Sequence, residues 1–452
     1  MNKHLNYSLN EAIRLFNNRK FKEARELLKA IIQNNPNDSE AWRIAAQIDL
    51  DEYGLISLAF DELIESLRLQ SNNIAALLTM GNLFMVYKKD YETAKNYFEK
   101  ILDYNPKSVK ALYNLGVIHQ KSGNFNDALI FFNKCIITNP TLPNGWYGMA
   151  SLYHIRKQYT PMFNSCLDGV KKVIVTPETE EMHYKLGQLL RDSANQLTRN
   201  IDFTNISNHI SREIELNDKL KVYCKEYNNN NGITSFLGFG PDRQLNFHNI
   251  VYNTNLPDVE YRILHELIHL KILQYNYNIG IRIPYTIKDK AYQAFYNIYF
   301  SLYQNMYRQS SLNQINKIMY GHYTILFSHL NSGIIDLFIQ FEIYNNYKNI
   351  RPAQLLSFIC ELKRKDQRAL DIKESMPEML YNKMLMLNHL ESLNLKELYG
   401  INLLSDITMP PECIDTSEKL FKIYRDAIKC NKYRECVSNT LTQVADFLHI
   451  NI

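Results

Sequence analysis

The chain has 452 residues, 46% of them hydrophobic and 22% charged, a balance that excludes a wholly disordered protein and implies two or three folded cores. Its formal net charge of +4 is too weak a bias to mark nucleic acid or an anionic membrane as the main partner.

The start, Met1 to Phe16, contains no apolar run of the kind that heads an export signal, and no stretch approaches the roughly 20 apolar residues needed to span a bilayer. A soluble, cytoplasmic protein is expected. The seven cysteines (Cys135, Cys166, Cys224, Cys360, Cys413, Cys430 and Cys436) are scattered and lack paired metal-type spacing, which fits a reduced compartment better than a disulfide framework. Only Cys430 and Cys436 lie close together in sequence, and they read as ordinary thiols.

The first two hundred residues are periodic. Ala24, Ala59, Ala94, Ala128 and Met162 recur at spacings of 35, 35, 34 and 34 residues, the period of a two-helix repeat. Four residues after the first four come Leu28, Leu63, Phe98 and Phe132, and twelve after come Pro36, Pro106 and Pro140, with Ser71 breaking the proline series. Met80-Gly81 and Leu115-Gly116 stand where a first helix must let its partner approach, and Trp42 and Trp146 occupy the equivalent bulky slot in two other repeats. A small residue is needed where helices cross, an aromatic fills the groove beside it, and proline stops the second helix.

These residues resemble the tetratricopeptide repeat family over about Leu9 to Lys172, with a further trace at Leu186-Gly187. The resemblance implies an α-solenoid whose concave face binds a protein or peptide. The repeated residues themselves are core and not a site.

From Asn200 the repeat signal stops. Asn228 to Gly240 (NNNNGITSFLGFG) reads as a loop, and Gln244 to Asn253 (QLNFHNIVYN) as the first strand. Asn255, Pro257 and Asp258 supply a stop and a helix cap, after which Val259 to Tyr275 reads as a helix. That helix carries His265-Glu266-Leu267-Ile268-His269. Histidines at i and i+4 project from one face, the geometry that lets two imidazoles share a zinc ion, with the intervening glutamate placed to activate water. The alternative is a pair of core histidines hydrogen-bonded to backbone or carboxylates.

Residues 244 to 275 resemble the zincin metallopeptidases. The resemblance implies Zn2+ on His265 and His269, Glu266 as catalytic base, and Phe247 to Asn253 as the strand that pairs with extended substrate. It also implies a third ligand from later in the chain. A metzincin would have Gly and His where Ile272 and Tyr275 stand.

Ile334 to Tyr347 reads as a buried helix begun at Asn331-Ser332-Gly333. Within it Asp336 is anomalous, because a carboxylate in apolar surroundings needs a cation or several donors; it is the expected third ligand, unless it serves only as an N-terminal helix charge. Glu342 is the alternative ligand, unless it faces solvent. Six residues separate the two, or about 240° of helix, so both do not easily reach one metal. His322 or His329 is a further option for that ligand. Tyr320-Gly321-His322-Tyr323 supplies weak oxyanion candidates in His322 and Tyr323. Beyond residue 352, Pro377 to Leu393 and Thr416 to Cys430 have helical patterning only.

The expected fold is mainly α: a tetratricopeptide-like solenoid at 1–199, a small α+β zincin-like domain at 200–350, and a helical part at 351–452 packed on the catalytic region. The expected function is a zinc-dependent metallopeptidase hydrolysing peptide bonds, with the array recruiting a protein substrate or regulator. The alternative is a non-catalytic interaction scaffold with an inactive zincin-like domain.

Overall fold

Small residues at a fixed period permit close helix crossings, and the molecule builds five helical hairpins on them. The computed structural model describes residues 8–227, 235–254, 258–283, 289–402 and 407–450. The chain divides into two compact units at Leu189 and Leu190.

In the first unit the hairpins are α1 (Leu9–Asn17) with α2 (Phe21–Asn34), α3 (Ser39–Asp51) with α4 (Ile56–Leu69), and α5 (Ile74–Leu83) with α6 (Tyr91–Tyr104). Then follow α7 (Val109–Lys121) with α8 (Phe125–Thr138), and α9 (Pro143–Ile155) with α10 (Tyr159–Lys172). Ala24, Ala59, Ala94, Ala128 and Met162 are all fully buried, as are Leu28, Leu63, Phe98 and Phe132. A side chain on Gly116 would sit 2.5 Å from the Phe132 ring, and one on Gly81 would sit 2.6 Å from the Phe98 ring.

Caps follow the same period. Asp38, Asn73 and Ser108, spaced by 35, open α3, α5 and α7 by accepting backbone N–H groups of the first turn, which satisfies donors the helix leaves unpaired. The indole N–H groups of Trp42 and Trp146 donate to the Pro36 and Pro140 carbonyls, both at 2.9 Å. Arg25 on α2 reaches Asp49 on α3 and Glu62 on α4, each at 2.7 Å, joining neighbouring hairpins through a part-buried ion cluster.

Gly116→Ala overpacks the Phe132 contact and is expected to destabilise the array by about 1–3 kcal/mol, read as a lower melting temperature by circular dichroism.

The second unit begins within α11 (Glu180–Thr198) and continues with α12 (Phe203–Asp218). Its three strands are β1 (Lys221–Tyr227), β2 (Ser235–Gly238) and β3 (Phe247–Asn253). The helices α13 (Val259–Asn278), α14 (Asp289–Met306), α15 (Leu312–Asn346), α16 (Arg351–Ile372), α17 (Glu378–Tyr399), α18 (Pro411–Ile428) and α19 (Val437–Phe447) follow. One hydrophobic core runs from Phe203 to Ile450.

The sheet corrects two expectations. Its order is β1-β3-β2, with β1 parallel and β2 antiparallel to β3. Both sides of β3 are therefore paired, so Phe247 to Asn253 cannot receive an extended substrate; the antiparallel edge strand is β2. That strand lies inside the stretch read as a loop, whose residues 228–234 fall outside the described residues, as do Asn255 and Pro257. The two glycines of SFLGFG differ: a side chain on Gly238 would strike the Asn249 amide, so close strand approach selects glycine there, whereas Gly240 opens the turn at Pro241–Arg243.

Helix α15 corrects a third. It does not begin at Asn331-Ser332-Gly333 but at Ser311, whose hydroxyl and Gln314 form a reciprocal capping box. Asp336 thus lies deep inside a 35-residue helix and cannot be a helix-terminal charge. Gly333 instead faces Glu391, whose Oε1 lies 3.6 Å from where a side chain would start.

Candidate metal centre

Helix α13 is buried on nearly every side, which is why its amphipathic pattern is weak and why polar groups on it need partners. Asp258 precedes the helix, yet its carboxylate does not cap it. It accepts from Arg262 at 3.0 Å and from Ser357 at 2.6 Å. Arg262 also reaches Glu361 on α16 at 3.0 Å, so the start of α13 is held to α16 by charge.

One turn on, His265 places Nε2 3.5 Å from Oδ1 of Asp336 on α15. Burial pushes the His265 imidazole down to about 4, so it stays neutral at physiological pH, the form that ligates metals. Burial pushes the Asp336 carboxyl up to about 6, while Lys365 and His269 pull it back. His269 sits a turn beyond His265, with Nδ1 3.2 Å from Oε2 of Glu266.

A third group lies behind this pair. Lys365 on α16 is buried against Glu391 on α17, with Oε1 in direct contact with Nζ. Glu361 is held at about 2: burial opposes this, but Lys365, Arg262 and Arg364 outweigh it. Burial pushes Glu391 up to about 7. His329 is pushed down to about 3 by burial and by Lys365. Sequence reasoning misses Lys365, Glu361 and Glu391. The stretch that holds the first two, ELKRKDQR, looks like a solvated helix face, and the only hint is the apolar stripe Leu355, Phe358, Ile359 and Leu362 running into it.

The other candidates lie elsewhere. Glu342 accepts from Arg434 at 2.6 Å, from Asn346 at 2.8 Å and from the Tyr433 hydroxyl. Those donors hold its carboxyl below the usual range despite burial. It is neither solvent-facing nor beside the histidines. His322 and Tyr323 are 14 and 13 residues from Asp336 on the same helix, or about 20 Å along its axis. That distance rules out an oxyanion role for them at this site. His322 instead takes part in a hydrogen bond with the Tyr303 hydroxyl at 2.8 Å, and Tyr323 packs among Tyr292, Phe295 and Phe327.

Can these residues hold zinc? Two ligands bonded at about 2.0–2.2 Å in a tetrahedron are separated by about 3.3 Å, and the His265–Asp336 spacing of 3.5 Å matches. Among the described residues no three His, Cys, Asp or Glu side chains already converge as a metal-holding group. His269 has its Nδ1 turned toward Glu266. The donor set of two imidazoles and one carboxylate suits zinc.

Comparison with known proteins bears on the array. Residues 9–51 and 85–152 each match a family profile for the tetratricopeptide repeat, so the first unit carries tetratricopeptide repeats. Among curated proteins, the chain is 31% identical over 112 residues to the photosystem I assembly protein Ycf3 of Prochlorococcus marinus (strain NATL1A), covering 24% of this chain and 62% of that one. It is 35% identical over 66 residues to the protein of the same name from Rippkaea orientalis, covering 14% and 38%. The chain thus spans less than two thirds of either relative. Among solved structures, PilW, a type IV pilus biogenesis factor, gives a TM-score of 0.37 at 17% identity, covering 44% of this chain and 94% of that one. A thermophilic tetratricopeptide repeat protein of Thermus thermophilus gives 0.35 at 14% identity, covering 40% and 96%. No helix among the described residues is long and apolar enough to cross a membrane.

Proposed function

We propose that this chain is a tetratricopeptide interaction scaffold, whose first unit binds a protein or peptide. The observation that carries this reading is the coincidence of the two repeat matches, at 9–51 and 85–152, with regularly capped, regularly packed hairpins. Repeat arrays of this kind have no catalytic groups of their own and work by presenting an extended surface. An assembly role, as the name of the curated relatives states for them, is one form such scaffolding takes. Co-purification from the native cells, with partners identified by mass spectrometry, tests it. Partners that persist with residues 190–452 alone and are lost by residues 8–189 would overturn it.

A second reading concerns the other unit and rests on the facing of His265 and Asp336. We infer that His265, His269 and Asp336 hold a zinc ion and that the site hydrolyses peptide bonds in what the array recruits. Zinc, when bound, supplies a Lewis acid for the scissile carbonyl and lowers the pKa of water. Glu266, adjacent to His265 in the chain, is the group that accepts a proton from water and passes it to the departing amine. Glu266 is largely buried, which shields that proton from exchange with solvent. Lys365 neutralises the carboxylates behind the site, so that Asp336 keeps its orientation toward His265.

The role assigned to Glu266 is proton transfer and not ligation. Glu266→Gln is therefore expected to abolish peptide cleavage, by a factor of 100 or more on the order of general-base effects, while metal analysis shows unchanged zinc. Zinc lost together with activity removes Glu266 from that role.

A further inference from the structure

One ion cluster of the array holds more negative charge than its cation can answer. Arg25 on α2 grips Asp49 on α3 with two nitrogens, Nε at 2.9 Å and Nη2 at 2.7 Å. The same Nη2 also reaches Oε1 of Glu62 on α4, at 2.7 Å. Two carboxylates bound to one nitrogen lie within a few ångströms of each other, and both are withdrawn from water, Asp49 at 2% exposure and Glu62 at 4%. The other oxygen of Glu62, Oε2, is buried without a hydrogen-bond partner among the described residues.

Among the described residues, Arg25 is the one cation that forms ion pairs with this couple. Helix α5, which also packs on α4, has no charged residue in IAALLTMGNL. Tyr53 just past α3 and Tyr97 of α6 are the other titratable groups near the joint, while on α4 itself Asp61 is exposed and Glu65 accepts from Arg68 at 2.8 Å. One guanidinium neutralises one carboxylate, and a second ionised carboxylate in such a place is costly. The geometry shows which of the two gives way: Asp49 has the two-nitrogen grip, and Glu62 has a single contact and an idle oxygen. Protonation turns Oε2 from acceptor into donor, with Asp49 on the same nitrogen beside it to accept. Burial pushes the Glu62 carboxyl up to about 8, with Arg25 pulling it back and Asp49 adding to the rise.

We propose that the joint between the first two hairpins is held by a proton on Glu62 that faces Asp49, and that mildly alkaline solution removes this proton and loosens the joint. The O–H bond of Glu62 is the only bond that breaks, and its proton goes to solvent. Once ionised, Glu62 repels Asp49 across the shared guanidinium, and the link from α2 through α3 to α4 weakens. A carboxyl that folding raises stabilises the fold in full below its ordinary value of 4.5, and that contribution is lost as pH rises through about 8. The opening is local to α2, α3 and α4, so the array senses pH through its first two hairpins. Neither zinc nor the identity of what the array binds enters into it.

The test is hydrogen exchange of the full chain, read peptide by peptide by mass spectrometry from about pH 6 to about pH 9 and corrected for the intrinsic rate. The expected result is that opening of peptides from α2 to α4 rises with pH, by up to about tenfold per pH unit, the limit that one proton sets, and levels off beyond about pH 8, while peptides from α8 to α10 hold steady. Glu62→Gln keeps an uncharged side chain with a donor where the proton sits. It is expected to abolish the rise and to protect α2 to α4 better than wild type at the alkaline end. Asp49→Asn removes the facing charge, leaves Glu62 to Arg25 alone and is expected to abolish the rise as well, so either variant decides if the other does not fold. A rise that survives in the folded variant, one that α8 to α10 share, or no rise in the wild type overturns the proposal.

Discussion

Asp336→Ala is expected to weaken zinc binding by 100-fold or more, on the order of losing one ligand of three, with little loss of fold stability. Removing the carboxylate leaves two imidazoles to hold the ion. Lys365 keeps Glu391 and Glu361 as partners, so no buried cation is orphaned. Glu342→Ala is expected to do the reverse. Glu342 answers Arg434, Tyr433 and Asn346, and deleting it removes the shared charged acceptor of part-buried donors at a cost of about 1–3 kcal/mol, with zinc affinity unchanged. Isothermal titration with zinc and thermal unfolding, run on both variants, separate the two carboxylates. Equal zinc affinity in wild type and Asp336→Ala would remove Asp336 from the site, and with it the observation on which the hydrolase reading rests.

Lys365→Met carries the largest expected effect on stability. Lys365 is the buried cation among Glu391, Glu361 and Asp336, and breaking a buried pair by removing one partner costs about 3–5 kcal/mol. In a unit of this size that corresponds to a fall in melting temperature of roughly 10 °C. The double variant Lys365→Met with Glu391→Leu removes both members of the closest pair and should recover much of the loss, because the desolvation of both charges is then no longer required. If the double variant is as unstable as the single one, Lys365 serves Glu361 or Asp336 rather than Glu391. A loss below about 1 kcal/mol in the single variant, the range of exposed pairs, would show that water reaches the cluster.

The two halves of the chain differ in how openly the sequence declares them. In the first unit the interactions that matter lie within one hairpin or between neighbours, a few turns to some 35 residues apart. Ala24, Gly116, Phe132 and Pro36 are therefore legible as crossing, approach, filling and stop. The caps Asp38, Asn73 and Ser108 obey the same spacing and are equally legible. The histidine pair is legible for a related reason. Spacing of i and i+4 on one helix fixes a common face without knowledge of anything else.

What the sequence by itself determined, then, was each feature whose partners lie a helical turn or one repeat away: the array, the helix bearing His265 and His269, and the oddity of a carboxylate at 336. Tertiary structure alone decided the rest. It placed Asp336 opposite His265 across 71 residues and turned Glu342 to Arg434 across 92. It threaded β3 between β1 and β2, and it buried Lys365 in a stretch that reads as solvated. The physical reason is common to all four. Local backbone geometry sets which residues share a face, whereas the partner of a strand edge or of a buried charge is chosen by packing of distant segments, where burying an unpaired group costs more than any local preference can return.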